Sequence, residues 1–335
     1  MKLSIIVPAY NRARTIGMTL MSLVRQDLPA DAYEIIVVDN NSKDATADVV
    51  RKVQTESPVL IRYHLERRQG VHYARNWAAV HARGDILYYT DDDMLADPGM
   101  LRELLKLFAM DETLGTASGR VLPKWEVSPP TWVLAFCQNG LLSLQLRPEE
   151  LIISADDMGV YSCHQAIRRN VLLECGGFNP ENTGGEWVGD GETGLCLRIR
   201  ARGYKFGYTA KAITYHLIPP ERMTQTYLNR RFMNQGYADT YTWFRAERPS
   251  PERLRREHLV AACRAAAEAV PMMLRRLLRR KGWRLRRAQM SYHNARSKYC
   301  ARLQRDPAWR EFVLKNNWID ETPALAVSPD EQLCR

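Results

Sequence analysis

The chain has no long hydrophobic run. None of its 335 residues belongs to a stretch of the roughly 18 uninterrupted apolar residues that a membrane-spanning helix requires. The N-terminus passes from Met1 directly into the apolar segment 3–7 without the basic region and small-residue cleavage site of a signal peptide, so we interpret this segment as a strand. A hydrophobic fraction of 45% and 8 Trp indicate a folded protein.

Closely spaced cysteines are also missing. The chain has 7 Cys, an odd number, and no Cys-x-x-Cys motif. This usage argues against a disulfide framework and against a zinc site, and it indicates reduced thiols. We therefore expect a cytoplasmic protein.

Positive charge is concentrated near the C-terminus. Between residues 251 and 310 the chain has 17 Lys and Arg but only 4 Asp and Glu, an excess larger than the net charge of +10 of the whole chain. Two interpretations stay open: a helical appendage with a solvated basic face, or attachment to an anionic membrane surface, which would make the protein peripheral on the inner face of the membrane. Nucleic-acid binding is not expected, because the motifs of a recognised module are missing.

Helical patterns predominate after Pro251. Two sets of apolar residues recur there at helical spacing, and one set is expected to pack on the rest of the protein. The first set is Leu254, Leu259, Cys263, Val270, Leu274 and Leu278, and the second is Leu285, Ala288, Tyr292, Ala295, Tyr299 and Leu303. We expect a basic helical extension over residues 246–335.

The first half of the chain alternates short β-branched runs with helical patterns. Predicted strands are 3–7, 34–38, 59–64 and 85–89, and predicted helices are 15–26, 44–54 and 71–82. Such alternation implies βαβ units, and therefore an α/β protein with a Rossmann-like, mostly parallel sheet flanked by helices. Ligands of these sheets bind beyond the carboxyl ends of the strands. The segments 8–11, 39–42 and 91–93 follow predicted strands and would line one crevice.

Three consecutive carboxylates, Asp91, Asp92 and Asp93, come directly after the apolar run 85–90. Like charges at the end of a buried strand repel one another, so they require a cation or a positively charged ligand nearby. Mg²⁺ or Mn²⁺ is commonly held by one or two carboxylates together with substrate phosphates. The alternative is an acidic turn that caps a helix beginning near Asp97 and Pro98.

Six short motifs follow one another between residues 4 and 198, within a segment of about residues 3–235. They are SIIVPAYN at 4–11, EIIVVDNNS at 34–42, Gly70 with ARN at 74–76, DDD at 91–93, CGGF at 175–178 and GETGLCLR at 191–198. Their order and spacing resemble those of the family 2 glycosyltransferases with the GT-A fold. The resemblance implies a GT-A domain over residues 1–245, with a nucleotide-binding half at about 1–115 and an acceptor-binding half at about 116–245.

The resemblance implies an inverting glycosyltransferase that moves a sugar from a nucleotide-diphosphate donor, with a UDP-sugar favoured, to a hydroxyl of a glycan, a lipid-linked molecule or another acceptor. The implied nucleotide-binding residues are Pro8, Ala9, Tyr10, Asn11, Asp39, Gly70, Arg75, Asp91 and Asp92. Mn²⁺ or Mg²⁺ would neutralise the departing diphosphate. The implied metal ligands are Asp93, Asp91 and His216.

The acceptor hydroxyl needs a carboxylate as general base, and the resemblance places it near the start of a predicted helix at 193–202. Glu192 falls where the family usually has the Asp of its Glu-Asp motif, and Asp190 is the alternative. Both could instead serve only to cap the helix. Trp187, in the same glycine-rich loop, is the candidate acceptor contact, with anchoring of the loop on the core as its alternative.

Two other classes compete for the whole chain. A nucleotidyltransferase has a related architecture, but it would carry a glycine- and arginine-rich phosphate loop where this chain has Pro-Ala-Tyr-Asn at 8–11. A non-catalytic relative that binds a glycan or a nucleotide would keep the fold and discard the carboxylates. Asp39, Asp91, Asp93 and Glu192 are all present, which favours an enzyme.

Overall fold

The computed structural model describes residues 2–136, 141–156, 159–180, 191–278, 280 and 282–320. Within this part of the chain, nine strands form one mixed sheet. The strands are β1 (Leu3–Ala9), β2 (Tyr33–Asp39), β3 (Leu60–Leu65), β4 (Ile86–Thr90), β5 (Met94–Ala96), β6 (Leu114–Trp125), β7 (Leu151–Ser154), β8 (His164–Arg168) and β9 (Lys205–Ile218). Their order is β3-β2-β1-β4-β8-β6-β9-β5, and β7 pairs with β9.

Most strands of this sheet run in the same direction. Strands β1 to β4 are mutually parallel, and β6 and β9 share their direction. Strands β5, β7 and β8 run the opposite way. The expected mostly parallel sheet is therefore confirmed, and strand order changes direction at β1, where crevices for ligands open.

The strands β1 and β2 are buried along their whole length, as parallel strands covered on both faces are. Neighbouring side chains point to opposite faces of the sheet, so Ile5 lies in one core cluster and Ile6 in the other. Helices cover both faces, which explains why the apolar runs show no alternation with polar residues.

Helices connect the strands and continue beyond them. They are α1 (Ile16–Val24), α2 (Thr46–Glu56), α3 (Val71–His81), α4 (Met100–Met110), α5 (Thr131–Phe136), α6 (Arg169–Glu174), α7 (Gly191–Ala201), α8 (Gln225–Glu247), α9 (Pro251–Leu277), α10 (Trp283–Arg305) and α11 (Pro307–Val313). The strands and helices predicted up to residue 90 lie within two residues of the observed bounds.

The C-terminal helices form the expected helical region, but one of the two predicted apolar stripes does not pack. On α10 the stripe is buried at Ala288, Ala295, Tyr299 and Leu303. The expectation that one stripe packs is met by α10, whereas four members of the other stripe, on and just after α9, are exposed. They are Leu259 at 53%, Val270 at 64%, Leu274 at 53% and Leu278 at 58%.

The face of α9 that packs is built from small side chains. Ala261 and Ala265, one helical turn apart, are buried together with Leu254. Alanine lets a neighbouring helix approach closely. The helix therefore turns this alanine face inward, and Leu259, Val270 and Leu274 lie at the surface. Among the described residues, no helix is both long and apolar enough to cross a membrane.

Candidate active site

A cavity of about 400 Å³ opens at the carboxyl ends of β1, β2 and β4. It is lined by Pro8, Ala9, Tyr10, Arg12, Asn40, Gln69, Gly70, Val71, Arg75, Asp91, Asp92, Asp93 and Arg222. Residues from all three predicted loop segments therefore meet in one crevice, as the sheet topology requires. The side chain of Tyr10 is 45% exposed there, unlike the buried residues that precede it.

The loops after β1 and β2 are held together by hydrogen bonds. The backbone N–H of Asn11 donates to Ser42 Oγ at 2.9 Å, and the Asn11 side-chain oxygen accepts from the Lys43 N–H at 2.8 Å. Asn11 has a left-handed backbone with φ of +53°, a conformation that Asn tolerates better than most residues. The Pro-Ala-Tyr-Asn motif thus ends in a turn that is fixed against the next strand.

Asn40, which the sequence analysis did not assign, anchors the floor of this cavity. Its side-chain oxygen accepts from the backbone N–H of Gly70 at 2.5 Å, and its amide donates to the Arg68 carbonyl at 2.6 Å. Gly70 has φ of +148°, which a residue with a side chain rarely adopts. The glycine at this position is therefore explained by the entry of the chain into α3.

Asp39 lies behind the cavity lining. It is only 2% exposed, and its two carboxylate oxygens accept from the Ser42 N–H and the Tyr63 hydroxyl, both at 2.8 Å. Burial, followed by the neighbouring carboxylate, raises the pKa of Tyr63. A nucleotide would have to share an oxygen that already accepts one hydrogen bond, so the nucleotide role of Asp39 stays a prediction.

The first aspartate of the triplet is paired with an arginine of α3. Arg75 Nη2 lies 2.9 Å from Asp91 Oδ1, and its side chain is only 4% exposed. The same guanidinium group approaches His72 Nδ1 at 3.4 Å and lies over the ring of Phe178. Arg75 is thus a buried cation of the site rather than a surface arginine of the helix.

The second aspartate is paired with Arg12, which follows the β1 motif. Arg12 Nε lies 2.8 Å from Asp92 Oδ1. Burial raises the pKa of Asp92 to about 7, although Arg12 acts in the opposite direction. Asp93 and Asp91 add to the increase because like charges close together oppose ionisation.

The third aspartate meets both an arginine and a histidine. Asp93 Oδ2 accepts from Arg222 Nη2 at 2.6 Å, and Asp93 Oδ1 lies 3.5 Å from His216 Nε2. Burial opposes ionisation of Asp93, but His216, in the form protonated at Nε2, and the permanently charged Arg222 outweigh it and lower the pKa of Asp93 to about 2. The carboxylate is therefore ionised at neutral pH.

His216 is oriented by a backbone carbonyl. Its Nδ1 lies 2.8 Å from the oxygen of Leu142, so Nδ1 carries a proton and donates it. Its Nε2 contacts Arg222 Nη1, and a guanidinium group can only donate, so Nε2 presents its lone pair. Arg222 therefore bridges two of the three side chains that the family resemblance implies as metal ligands, Asp93 and His216.

The residues present fit a divalent metal whose coordination is completed by the substrate. Asp93 Oδ1 is buried and has no hydrogen-bond donor among the described residues, so it can accept a cation. His216 Nε2 lies 3.5 Å from this oxygen. No three His, Cys, Asp or Glu side chains of the described chain come together as a metal cluster. Substrate phosphates commonly supply the remaining ligands of such ions.

Glu192 lies in the first turn of α7. Burial raises the pKa of the Cys163 thiol, and the negative charges of Asp91, Glu192 and Asp93 add to this increase. Glu192 itself does not line this cavity, nor does it line a second, larger cavity that adjoins it. Its role as base stays a prediction. Asp190 and Trp187 lie outside the described residues.

Three site residues escaped the sequence analysis: Asn40, Arg12 and Arg222. Arg12 directly follows the first motif, and Arg222 comes six residues after His216. The signal that could have found the arginines is the triplet itself, because three adjacent carboxylates need cationic partners. Sequence alone does not reveal which arginine meets which aspartate.

Comparison with known proteins identifies relatives along most of the chain. An uncharacterized glycosyltransferase of Bacillus subtilis is 38% identical over 114 residues, which are 34% of this chain and 29% of that protein. The glucosyl-dolichyl phosphate glucuronosyltransferase of Haloferax volcanii is 25% identical over 259 residues, which are 71% of this chain and 76% of that protein. The chain thus spans under a third of the first relative's length.

A solved structure of similar fold is the mannosyltransferase from Pyrobaculum calidifontis in complex with GDP-Man and Mn²⁺. It superposes with a TM-score of 0.60 at 23% identity, and the match covers 90% of this chain and 87% of that chain. This likeness confirms the GT-A fold. The model of glycosyl transferase family 2 matches residues 4–177, over half of the sequence. The chain therefore belongs to glycosyl transferase family 2.

Proposed function

We propose that the protein transfers a sugar, with inversion, from a nucleotide-diphosphate donor to a hydroxyl acceptor. The observation that carries the proposal is the pairing of three consecutive carboxylates with three arginines at the strand ends, beside the cavity of about 400 Å³. Such a set of paired charges is suited to a polyanionic ligand, because the ligand can take the place of a carboxylate beside an arginine. An acidic helix cap would not require three arginines from distant segments.

The nucleoside part of the donor would occupy the cavity floor. Tyr10 would pack on the base with its exposed ring, and Gly70 at the start of α3 would let the diphosphate approach backbone N–H groups at the positive end of a helix. UDP is the first choice for the nucleotide. GDP is the alternative, because the similar mannosyltransferase structure contains GDP-Man.

Asp93 and His216 would hold Mn²⁺ or Mg²⁺, and the structure of the similar mannosyltransferase contains Mn²⁺. When bound, such an ion neutralises the negative charge that develops on the departing diphosphate. Arg222 would have to release both groups, and its freed guanidinium group could pair with a phosphate oxygen of the donor. Asp91 would stay with Arg75 and face the ribose.

Glu192 would remove the proton from the acceptor hydroxyl as its oxygen attacks the anomeric carbon. Asp190 remains the alternative base. Trp187 would contact the acceptor. The lipid-linked class of acceptor is supported by the relative whose name includes a dolichyl phosphate, and it would suit a protein that meets an anionic membrane surface through its C-terminal helices.

Calorimetric titration of nucleotides into the protein tests the proposal. UDP or GDP should bind with Mn²⁺ and lose most of its affinity when excess chelator is added, and UMP should bind more weakly than UDP because it lacks the second phosphate. Asp93→Ala should abolish the effect of the metal, whereas Asp97→Ala, outside the cavity, should not. Equal UDP affinity with metal and with chelator would contradict the proposed donor site.

A nucleotidyltransferase would give a different result in the same preparation. It would consume a nucleoside triphosphate together with a sugar phosphate and release pyrophosphate. Release of UDP from a UDP-sugar, without pyrophosphate, is the expected outcome here. Pyrophosphate release in the presence of both substrates would favour the alternative class.

A further inference from the structure

A second, larger cavity adjoins the nucleotide cavity. Its volume is about 770 Å³, against about 400 Å³ for the first, and the two share Arg12, Asp93 and Arg222 in their linings. The shared residues mark the place where the donor's diphosphate would lie. The second cavity therefore begins where the donor would end, and it has room for a substantial further group.

The lining of this second cavity is strongly basic. Its positively charged members are Arg12, Arg14, Arg222, Arg230 and Arg231, and its negatively charged members are Asp93 and Glu221. Arg14 also contacts Glu126, at 2.6 Å. A surplus of guanidinium groups in a concave surface attracts anions and concentrates them there.

One face of α8 forms a wall of the cavity. Thr226, Tyr227, Arg230, Arg231 and Asn234 all line it, at the spacing that places residues on one side of a helix. From first to last they extend over roughly 12 Å. The cavity thus continues well past the residues that it shares with the nucleotide site.

Arg230 is positioned within this wall by an aromatic ring. Its guanidinium carbon lies 5.3 Å from the centre of the Tyr227 ring, which holds it by a cation–π contact. No carboxylate of the described residues forms an ion pair with Arg230, although most arginines around the donor cavity have one. An oriented arginine in a basic cavity is suited to bind an anion that is not part of the protein.

We propose that this second cavity binds a phosphate group of the acceptor. The guanidinium group matches a phosphate with two parallel hydrogen bonds, and arginine is preferred where such pairing is needed. The donor's own phosphates would lie at the shared edge with Asp93 and Arg222, so Arg230, which forms no ion pair within the described residues, is left to bind another anion. The proposal rests on the proposed transfer reaction and specifies the acceptor as a phosphate ester.

The phosphate could belong to a lipid-linked acceptor or to a water-soluble polyol phosphate. Phytanyl phosphate in neutral detergent micelles and glycerol 3-phosphate are probes for the two sources, and phytanol and glycerol are their uncharged counterparts. Binding of each is measured by calorimetry, both without nucleotide and with saturating UDP and Mn²⁺. Tighter binding of phytanyl phosphate than of glycerol 3-phosphate would identify a lipid-linked acceptor. Similar binding of the two phosphates would identify a water-soluble acceptor.

The decisive variant is the double change Arg230→Gln and Arg231→Gln. It should weaken binding of the phosphate probes about tenfold or more, the loss expected when charged hydrogen bonds are removed. The matched control, Arg255→Gln with Arg256→Gln, changes two exposed arginines of α9 and should leave probe binding as it was. Equal probe affinity in wild type and the α8 variant, or equal binding of the uncharged counterparts, would overturn the proposal.

Donor binding separates this proposal from the one on which it rests. The α8 variant should bind UDP with Mn²⁺ as the wild type does, because neither arginine lines the nucleotide cavity. If UDP does not bind the wild type but the phosphate probes do, the donor proposal has failed and the phosphate site stands. If UDP binds and the phosphate probes do not, the acceptor assignment is the part that is wrong.

Discussion

At the scale of single residues, the site is governed by charge compensation. Asp91, Asp92 and Asp93 each have one arginine partner, supplied by α3, by the loop after β1 and by the turn after β9. Each pair has at least one largely buried member, and breaking the pair leaves that charge uncompensated, so these partners contribute to stability when no ligand is bound. The same arrangement makes ligand binding an exchange of partners, which leads to a prediction for Arg222.

Arg222→Gln should raise the affinity of the nucleotide-free protein for Mn²⁺. In the wild type, Arg222 bridges Asp93 and His216, and an incoming cation must displace it. Charged hydrogen bonds of this kind contribute about 1.5–3 kcal/mol each, so we expect roughly ten- to a hundredfold tighter binding in the variant. Paramagnetic resonance of free Mn²⁺ during a titration measures this without any turnover.

The exposed pair of Arg51 with Asp48 provides the control for Arg222. Arg51→Gln removes the same positive charge from a residue that does not line the cavity, and it should leave Mn²⁺ binding unchanged. If Arg222→Gln weakens Mn²⁺ binding or does not alter it, the guanidinium group does not compete with the metal, and the two groups it bridges are not the metal ligands.

Glu192→Gln should lower kcat by about 10² or more and leave UDP binding nearly unchanged. Glutamine preserves the size of the side chain and its hydrogen bonds but cannot accept the acceptor's proton, and general-base contributions have this magnitude. Glu192 does not line the donor cavity, which supports the separation of the two effects. A larger loss of kcat in Asp190→Asn would transfer the role of base to Asp190.

The sequence predicted the acidic part of this site but not its basic part. The triplet was recognisable because its three members are adjacent and follow a buried strand. Arg12 and Arg222 are about 80 and 130 residues away from their partners along the chain, and only the sheet brings them together. The three adjacent carboxylates indicate that cations lie nearby, but they do not indicate which side chains supply the positive charge.

At the scale of elements, periodicity predicted where the helices lie better than which side they bury. The stripe on α10 packs, whereas the stripe on α9 faces outward and small residues pack in its place. Apolar spacing alone does not distinguish a face that meets the protein from one that meets something else. The exposed side of α9 is therefore a feature to explain by binding.

The C-terminal end of α9 should bind anionic membranes. Met273, Leu274 and Leu277 are 65%, 53% and 80% exposed there, next to Arg275 and Arg276 in the last turn. Apolar side chains beside cations suit the interface of an anionic bilayer, and each basic residue contributes about 1 kcal/mol near such a surface. The protein should sediment with phosphatidylserine vesicles at low salt and be released at high salt, where charges are screened.

Variants of α9 separate membrane binding from unspecific adhesion. Changing Leu274 and Leu277 to Gln, or Arg275 and Arg276 to Glu, should reduce sedimentation severalfold. Met110→Gln removes a similarly exposed apolar side chain, 62% exposed on α4, and should have no effect. If the wild type does not bind anionic vesicles at low salt, α9 belongs to a helical appendage with a solvated basic face.

At the scale of the whole molecule, the end of the described chain returns to the glycine turn that follows α6. The Trp318 backbone N–H donates to the carbonyl of Gly176 at 3.0 Å, and the Trp318 side chain is 2% exposed. A Cβ on Gly176 would lie 2.3 Å from the carbonyl oxygen of Asn316, and Gly176 has φ of +75°. The first glycine of the CGGF motif is therefore required by close approach of the C-terminal segment.

This contact reaches the helix that carries Glu192. Arg198 of α7 donates to the carbonyls of Cys175 and Gly177 at 2.8 and 2.6 Å, and its guanidinium carbon lies 4.8 Å from the centre of the Trp318 ring. Trp318 thus covers the arginine that fixes α7 to the glycine turn. The sequence contained each of these residues, but their separation along the chain concealed the contact.

Trp318→Ala should therefore destabilise the protein and slow catalysis without weakening donor binding. Removing a buried Trp side chain typically costs 3–5 kcal/mol, which should lower the Tm by several degrees. Loosening of α7 should lower kcat because Glu192 loses its fixed position, whereas UDP with Mn²⁺ should bind as before, since the nucleotide cavity lies on other elements. Trp318→Phe, which keeps an aromatic ring over Arg198, should show a smaller effect on both quantities. Unchanged Tm and kcat in Trp318→Ala, or a loss of UDP affinity as large as the loss of kcat, would show that the C-terminal segment does not support α7 in this way.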